Sequence, residues 1–143
     1  MATAEARLVR HNVFCAKDGR ALANKVAPHG AFTNPQIASV GPTEQGARRR
    51  GIEYLVSTRD YAETAYGWAL EDTTSFVKIL TDPLDLTILG THTIGPQAET
   101  PIQPLIQAMT PGLTVDQAAR DVLHIHPALT EVVEQALPAL LRP

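Results

Sequence analysis

The sequence predicts an α+β fold in which an antiparallel sheet has helices grouped on one side. Residues 75–81 alternate between apolar and polar side chains, and residues 86–94 form a second strand-like run. Asp82-Pro83 between them is a turn signal, so the two runs are predicted to form a hairpin. Beyond Gly95 the apolar spacing changes from 2 to 3.6 residues, which indicates helices after the sheet.

The N-terminal residues are interpreted as the end of a larger unit. Val9 and the pair Val13-Phe14 are predicted to lie in a strand, and Asp18-Gly19 is the turn that leads out of it. We therefore interpret this region as the end of a larger structural unit and not as the start of a fold.

A short helix is predicted between strands in the first half of the chain. Thr43 is its candidate N-cap, and Gly51 is a natural residue to follow its last turn. The flanking extended segments are residues 31–33, 37–41 and 52–59.

Three helices are predicted after the sheet. The first spans residues 97–109, and Thr114-x-x-Gln117 is a capping box that opens a second helix to about Leu123. Pro138 should kink or shorten the last helix. The apolar face of that helix consists of Val132, Val133, Ala136, Leu137 and Leu140.

Charge and composition disfavour several classes of protein. The net charge of −3 over 143 residues argues against a nucleic-acid partner and against an anionic membrane surface. No apolar run approaches the roughly 20 residues of a transmembrane span, and the N-terminus lacks the apolar core of a signal peptide. Cys15 is the single cysteine, and the histidines and Cys15 do not have zinc-site spacing. We therefore expect a cytoplasmic protein without a metal site.

The strongest chemical signal is His126-Pro127 with Glu131 five residues later. Proline suits the first turn of a helix and pushes the preceding residue into an extended conformation, so a helix is predicted to begin between Pro127 and Glu131. A fold-back at His126 would bring the Glu131 carboxylate to one ring nitrogen and leave the other free for acid–base catalysis. The alternative is a histidine that is solvated or caps the structure.

Three segments together resemble the C-terminal dimerisation domain of the pyridine nucleotide–disulfide oxidoreductases. They are residues 32–41 (FTNPQIASVG), residues 89–95 (LGTHTIG) leading to Ala98, and the His126-Pro127 motif with Glu131. Their order and separations match the family over the C-terminal part of the chain.

The resemblance divides the chain into two regions. Residues 31–143 are the predicted dimerisation domain, and residues 1–30 are a remnant of a preceding flavin-binding region or a linker. A narrower resemblance to one reductase of the family is carried by residues 66–73, 102–109 and 125–134.

The resemblance implies a homodimer of an FAD- and NADPH-dependent enzyme that reduces a small disulfide. His126 would exchange protons with the dithiol of the partner subunit, and Glu131 would orient the ring. His126 and Pro127 would contact the flavin. The chain alone is expected to bind neither cofactor tightly.

Other interpretations remain open at this point. The chain could be a stand-alone dimerising scaffold of the same fold without catalysis, or a thiol sensor that uses Cys15. Trp68, Tyr61 and Tyr66 could contact a substrate, although filling of the core or the dimer interface is the favoured interpretation.

Overall fold

An antiparallel sheet forms the centre of the structure, a computed structural model that describes residues 2–15, 17–21 and 26–141. The hairpin predicted from residues 75–81 and 86–94 is present, and Val77 pairs with Thr93 while Ile79 pairs with Thr91. The strands in the described residues are β1 (His29–Ala31), β2 (Gln36–Val40), β3 (Leu55–Asp60), β4 (Phe76–Thr81) and β5 (Ile88–Gly95). Their order in the sheet is β1-β2-β5-β4-β3, with antiparallel neighbours throughout. The α+β prediction is confirmed.

Both predicted helix caps are present. The Thr43 side chain accepts a hydrogen bond from the Gly46 N–H at 3.1 Å, and Thr114 forms a reciprocal capping box with Gln117. The helices are α1 (Ala2–Phe14), α2 (Glu44–Arg49), α3 (Ala65–Ala69), α4 (Glu99–Met109), α5 (Val115–Arg120) and α6 (Glu131–Ala136). Single 3₁₀ turns follow β3 (Tyr61–Glu63) and α6 (Pro138–Leu140).

Helix α1 corrects the prediction for the N-terminal residues. Val9, Val13 and Phe14 lie in this helix of 13 residues and not in a strand. The reason is that residues 2–14 are rich in good helix formers such as Ala and Arg. The division of the chain between residues 30 and 31 is not decided by this helix and stays a prediction.

The main core lies between one face of the sheet and the helices α4, α5 and α6. Val77 and Ile79 of β4 are fully buried there, together with Tyr61 from the 3₁₀ turn after β3. Leu105 of α4 and Val132 of α6 pack against them, each at most 1% exposed. Burial of each such side chain contributes about 1.5–3 kcal/mol, so this face fixes α6 against the sheet.

Helix α2 is held against the opposite face of the sheet by polar contacts. Glu44 accepts a hydrogen bond from Lys78 Nζ on β4 at 2.6 Å, and His92 Nε2 on β5 donates to the Pro42 carbonyl at 3.0 Å. The hydrogen bond from Lys78 is the main reason that the pKa of Glu44 is lowered. Helix α2 ends before Gly51, whose φ of +65° favours glycine, as predicted.

Candidate active site

His126 and Glu131 are in direct contact. The distance between His126 Nδ1 and Glu131 Oε1 is 2.5 Å. The His126 side chain is 71% exposed, whereas that of Glu131 is 6% exposed. A buried carboxylate thus holds one edge of a ring whose other edge faces solvent. The assignment of these residues to catalysis stays a prediction.

Buried anchors hold the turn between His126 and Glu131. Leu129 is 6% exposed and belongs to the main core. Glu131 Oε2 accepts a hydrogen bond from the Ala128 N–H at 3.0 Å, so both carboxylate oxygens are engaged. The core contact and the hydrogen bond hold the turn in place, while the side chains of His126 and Pro127 remain exposed to solvent.

Helix α6 starts at Glu131, within the range predicted from the sequence, and Pro127 lies in a bend that precedes it. The Ala128 N–H bonds to the Glu131 side chain and Leu129 packs into the core, so the residues between Pro127 and Glu131 form a turn in front of the helix. The His126–Pro127 peptide bond is cis.

The contact selects one tautomer of His126. An ionised carboxylate can only accept hydrogen bonds, so Nδ1 carries the proton and the neutral ring has its lone pair at Nε2. Desolvation raises the pKa of Glu131, but the hydrogen bonds from His126 and Ala128 outweigh it and hold the pKa below its usual value. Glu131 is therefore ionised at neutral pH, and Nε2 is available as a proton acceptor.

His126 opens onto a groove of about 750 Å³, which we call the Trp68 groove. The groove runs along the 3₁₀ turn and α3, and Pro127 lines it beside His126. Its lining residues are Ala62, Glu63, Thr64, Ala65, Tyr66, Trp68, Ala69, His126 and Pro127. The structure thus adds an aromatic wall to the predicted site residues.

Trp68 does not fill the core, so of the favoured interpretation only the dimer interface remains open for this residue. Trp68 is 76% exposed and Tyr61 is fully buried, while Tyr66 packs partly against the main core. The sequence contains a signal for this exposure, the pattern Thr64-x-x-Gly67 of a capped helical turn. Thr64 and Gly67 face inward, so the side chain of the next residue, Trp68, points outward.

Tight packing behind Trp68 fixes its position. The Thr64 hydroxyl donates to the Tyr61 carbonyl at 2.8 Å and accepts from the Gly67 N–H at 3.1 Å. A Cβ added to Gly67 would lie 1.9 Å from the Tyr61 carbonyl oxygen, so only glycine allows this approach. Helix α3 is therefore pinned to the 3₁₀ turn with Trp68 facing out.

The remaining predicted sites do not assemble in the described residues. No group of three His, Cys, Asp or Glu side chains there could hold a metal ion. His124 lines a different cavity, between α4, α5 and α6. Cys15 is exposed next to the end of α1. Among the residues that the structure describes, no helix is long and apolar enough to cross a membrane.

Comparison with known proteins agrees with the fold and the sequence motifs. The family described as pyridine nucleotide-disulphide oxidoreductase, dimerisation domain, matches residues 27–137. The chain is 46% identical over 144 residues to "Mycothione reductase" of Mycobacterium tuberculosis (strain CDC 1551 / Oshkosh), which covers 98% of this chain and 31% of that protein. Mycothione reductase is the member to which the narrower sequence resemblance points.

More distant relatives show the same relationship. The chain is 34% identical over 112 residues to the mitochondrial dihydrolipoyl dehydrogenase of Schizosaccharomyces pombe, covering 78% of this chain and 22% of that protein. A Cu(II) complex of a cysteine-to-serine mutant of the HOCl-induced flavoprotein disulfide reductase RclA from Escherichia coli shares the fold. Its TM-score is 0.84 at 24% identity, over 95% of this chain and 31% of that one. The chain thus spans about a third or less of these relatives. It belongs to the pyridine nucleotide–disulphide oxidoreductase family, whose dimerisation domain it contains.

Proposed function

We propose that this chain is the dimerisation domain of an FAD- and NADPH-dependent disulfide reductase that acts on a small, mycothione-like disulfide. In this proposal each chain supplies its His126–Glu131 pair to the dithiol of the partner subunit. The observation that carries it is the 2.5 Å contact between an exposed imidazole and a buried carboxylate. The 46% identity to mycothione reductase supports the substrate class.

His126 moves the proton in the proposed mechanism. Its Nε2 accepts the proton of a cysteine thiol of the partner, and the resulting thiolate attacks one sulfur of the substrate disulfide. A mixed disulfide forms as the substrate S–S bond breaks, and the His126 imidazolium returns its proton to the departing thiolate. The second cysteine of the dithiol then attacks the mixed disulfide, which releases the second thiol and leaves an enzyme disulfide.

Glu131 makes this proton transfer efficient. It keeps the Nδ1–H tautomer, so Nε2 is the basic nitrogen, and its charge stabilises the imidazolium. Because Leu129 and the Ala128 N–H hold the turn, the ring needs little reorganisation during the reaction.

The exposed ring of Pro127 fits a cofactor contact of limited area. Pro127 and His126 lie together in the lining of the Trp68 groove, and these two residues would contact a bound flavin. We assign the cofactor-binding role of this chain to these two residues. Bound FAD and NADPH would supply the two-electron reduction that restores the dithiol. A chain that offers only this contact is expected to bind neither tightly.

Exposed apolar side chains support a homodimer. Leu123 and Ile125 are 97% and 77% exposed on either side of partly buried His124, and they lead directly to His126. Phe32, before β2, is 79% exposed. Apolar side chains that are contiguous with a functional site are typical of an interface, and a second copy of the chain is the proposed occupant. The expectations of a cytoplasmic location and of no nucleic-acid or membrane partner belong to this proposal and rest on the sequence.

The proposal is tested in a hybrid enzyme. This chain replaces the matching C-terminal segment of the M. tuberculosis mycothione reductase, and the NADPH-dependent reduction of its disulfide substrate is followed. We expect His126→Ala to lower kcat by about 10²–10⁴-fold, the usual contribution of a general acid–base group. His29→Ala is the control, because His29 is exposed on β1, at the opposite edge of the sheet from β3.

Bound FAD is measured from its visible absorption, so that loss of the cofactor is not mistaken for loss of catalysis. Turnover within about threefold of the parent hybrid in FAD-loaded His126→Ala would contradict the proposal. That outcome would favour the non-catalytic dimerising scaffold.

A further inference from the structure

We propose that the cavity between α4, α5 and α6, which we call the His124 cavity, binds a small uncharged aromatic compound of the phenol class, with His124 as its hydrogen-bond partner. The inference goes beyond the proposed function, because none of the residues that line this cavity lines the Trp68 groove. It adds a second binding site to the domain. The ligand class follows from the volume, the apolar lining and one imidazole.

The size and the inner wall of the His124 cavity are the first argument. Its volume is about 150 Å³. The inner wall consists of five apolar side chains that are each at most 6% exposed, namely Leu105, Ala108, Ala118, Val133 and Leu137. An apolar cavity of about this volume stays free of water and accepts a molecule such as benzene. One aromatic ring is therefore the occupant that fits.

The outer wall of the cavity is the second argument. Gln107 and Val122 of this wall are exposed, so a ligand can enter from solvent, and His124 lies partly buried beside them. In the described ranges, no aspartate, glutamate, lysine or arginine lines the cavity. A charged ligand would therefore lose water without gaining a fixed opposite charge. A phenol hydroxyl, by contrast, can form a hydrogen bond with the His124 imidazole.

The direction of the side chains in residues 122–125 is the third argument. Val122 and His124 line the cavity, whereas Leu123 and Ile125 are 97% and 77% exposed. An extended segment produces this alternation, because successive side chains point to opposite sides. A second copy that packs on Leu123 and Ile125 would meet the side of the segment away from the cavity. The ligand therefore does not compete with the proposed dimer contact.

Titration of this chain with three compounds of similar size tests the inference. Toluene is apolar, phenol carries a hydroxyl group, and benzoate carries a negative charge. NMR signals of the Leu105, Val133 and Leu137 methyl groups and of the His124 ring report binding, because these groups line the cavity. We expect phenol and toluene to shift the methyl signals with a Kd of about 1 mM or below. Benzoate should bind at least about tenfold more weakly than phenol.

Two variants test the volume and the imidazole separately. Ala118→Leu fills the cavity and should abolish binding of phenol and toluene, and its Tm shows that the variant is folded. Ala6→Leu is the control, because Ala6 is an exposed alanine of helix α1 and should leave binding unchanged. His124→Phe keeps a ring but removes its polar atoms. It should lower the ratio of phenol affinity to toluene affinity by at least about fivefold.

Each of four results would overturn the inference. They are benzoate binding as tight as phenol binding, unchanged binding in folded Ala118→Leu, an unchanged ratio of the two affinities in His124→Phe, and methyl signals that respond to protein concentration but not to phenol. The last result would show that a second copy fills the cavity. Failure here leaves the proposed function intact, because the hybrid-enzyme assay tests His126 and not the His124 cavity.

Discussion

Replacement of Glu131 by glutamine should change the His126 ring and the stability of the domain together. The amide has the shape of the carboxylate but one acceptor oxygen in place of two. It faces two donors, His126 Nδ1–H at 2.5 Å and the Ala128 N–H at 3.0 Å. Because the backbone donor cannot change, the amide oxygen should turn toward Ala128 and its NH₂ toward Nδ1. The neutral ring must then move its proton to Nε2.

The cost of Glu131→Gln follows from burial and charge. A hydrogen bond to a charged group contributes about 1.5–3 kcal/mol, and solvent around the largely exposed His126 ring reduces this value. We expect a loss of about 1–2 kcal/mol at pH 7, or a fall in Tm of about 3–6 °C for a domain of this size. Glu134→Gln is the matched control, since Glu134 is an exposed residue of the same helix.

The loss should depend on pH. The pKa of Glu131 is lowered in the folded chain from a reference value of 4.5, so its stabilisation is complete above that pH and disappears as pH falls through the folded-state pKa. The stability difference between the parent chain and Glu131→Gln should therefore stay constant from pH 7 down to the reference value of 4.5 and shrink as the pH falls further.

Urea unfolding at several pH values gives the stability difference, and the ¹⁵N shifts of the ring nitrogens give the tautomer. The reasoning is refuted if Glu131→Gln unfolds within about 0.5 kcal/mol of Glu134→Gln at pH 7. It is equally refuted if the neutral His126 ring keeps its proton on Nδ1 in the Glu131→Gln chain.

Two further predictions concern the support of the groove and the dimer. Gly67→Ala should cost about 3 kcal/mol in urea unfolding, because the new methyl group would lie 1.9 Å from the Tyr61 carbonyl oxygen. Gly46→Ala, another helical glycine with its nearest contact at 3.3 Å, should be neutral or slightly stabilising, and equal effects of the two would contradict this packing argument. Leu123→Lys should weaken self-association by at least about tenfold in sedimentation equilibrium. Leu84→Lys is the control, because Leu84 is a comparably exposed leucine, and it should leave self-association unchanged. A dimer unaffected by Leu123→Lys would place the interface elsewhere.

The parts of the fold that the sequence predicted correctly depend on neighbours within a few residues. The caps at Thr43 and Thr114 join positions three residues apart, and the β4–β5 hairpin follows from alternation around Asp82-Pro83. The prediction of a strand around Val9 was wrong. It considered isolated apolar residues without their neighbours, and the residues around Val9 favour a helix.

The candidate site also has one part that the local sequence predicts and another part that it does not. His126 and Glu131 are close enough in sequence for their contact to be proposed from the motif, and the start of α6 at Glu131 lies within the predicted range. Trp68 is separated from His126 in sequence by two strands and two helices, so no local pattern could indicate that they share a groove.

The sequence by itself determined most of the strand and helix types and the pairing of an imidazole with a nearby carboxylate, because these depend on short-range periodicity and spacing, and the resemblance of its motifs indicated the family. Only the tertiary structure decided which surface surrounds that imidazole. Packing of α6 on the sheet brings Arg59 to Gln135, 76 residues away, and places α3 beside the His126 turn. Such contacts arise from the burial of a shared core, whose geometry no single segment of the chain specifies.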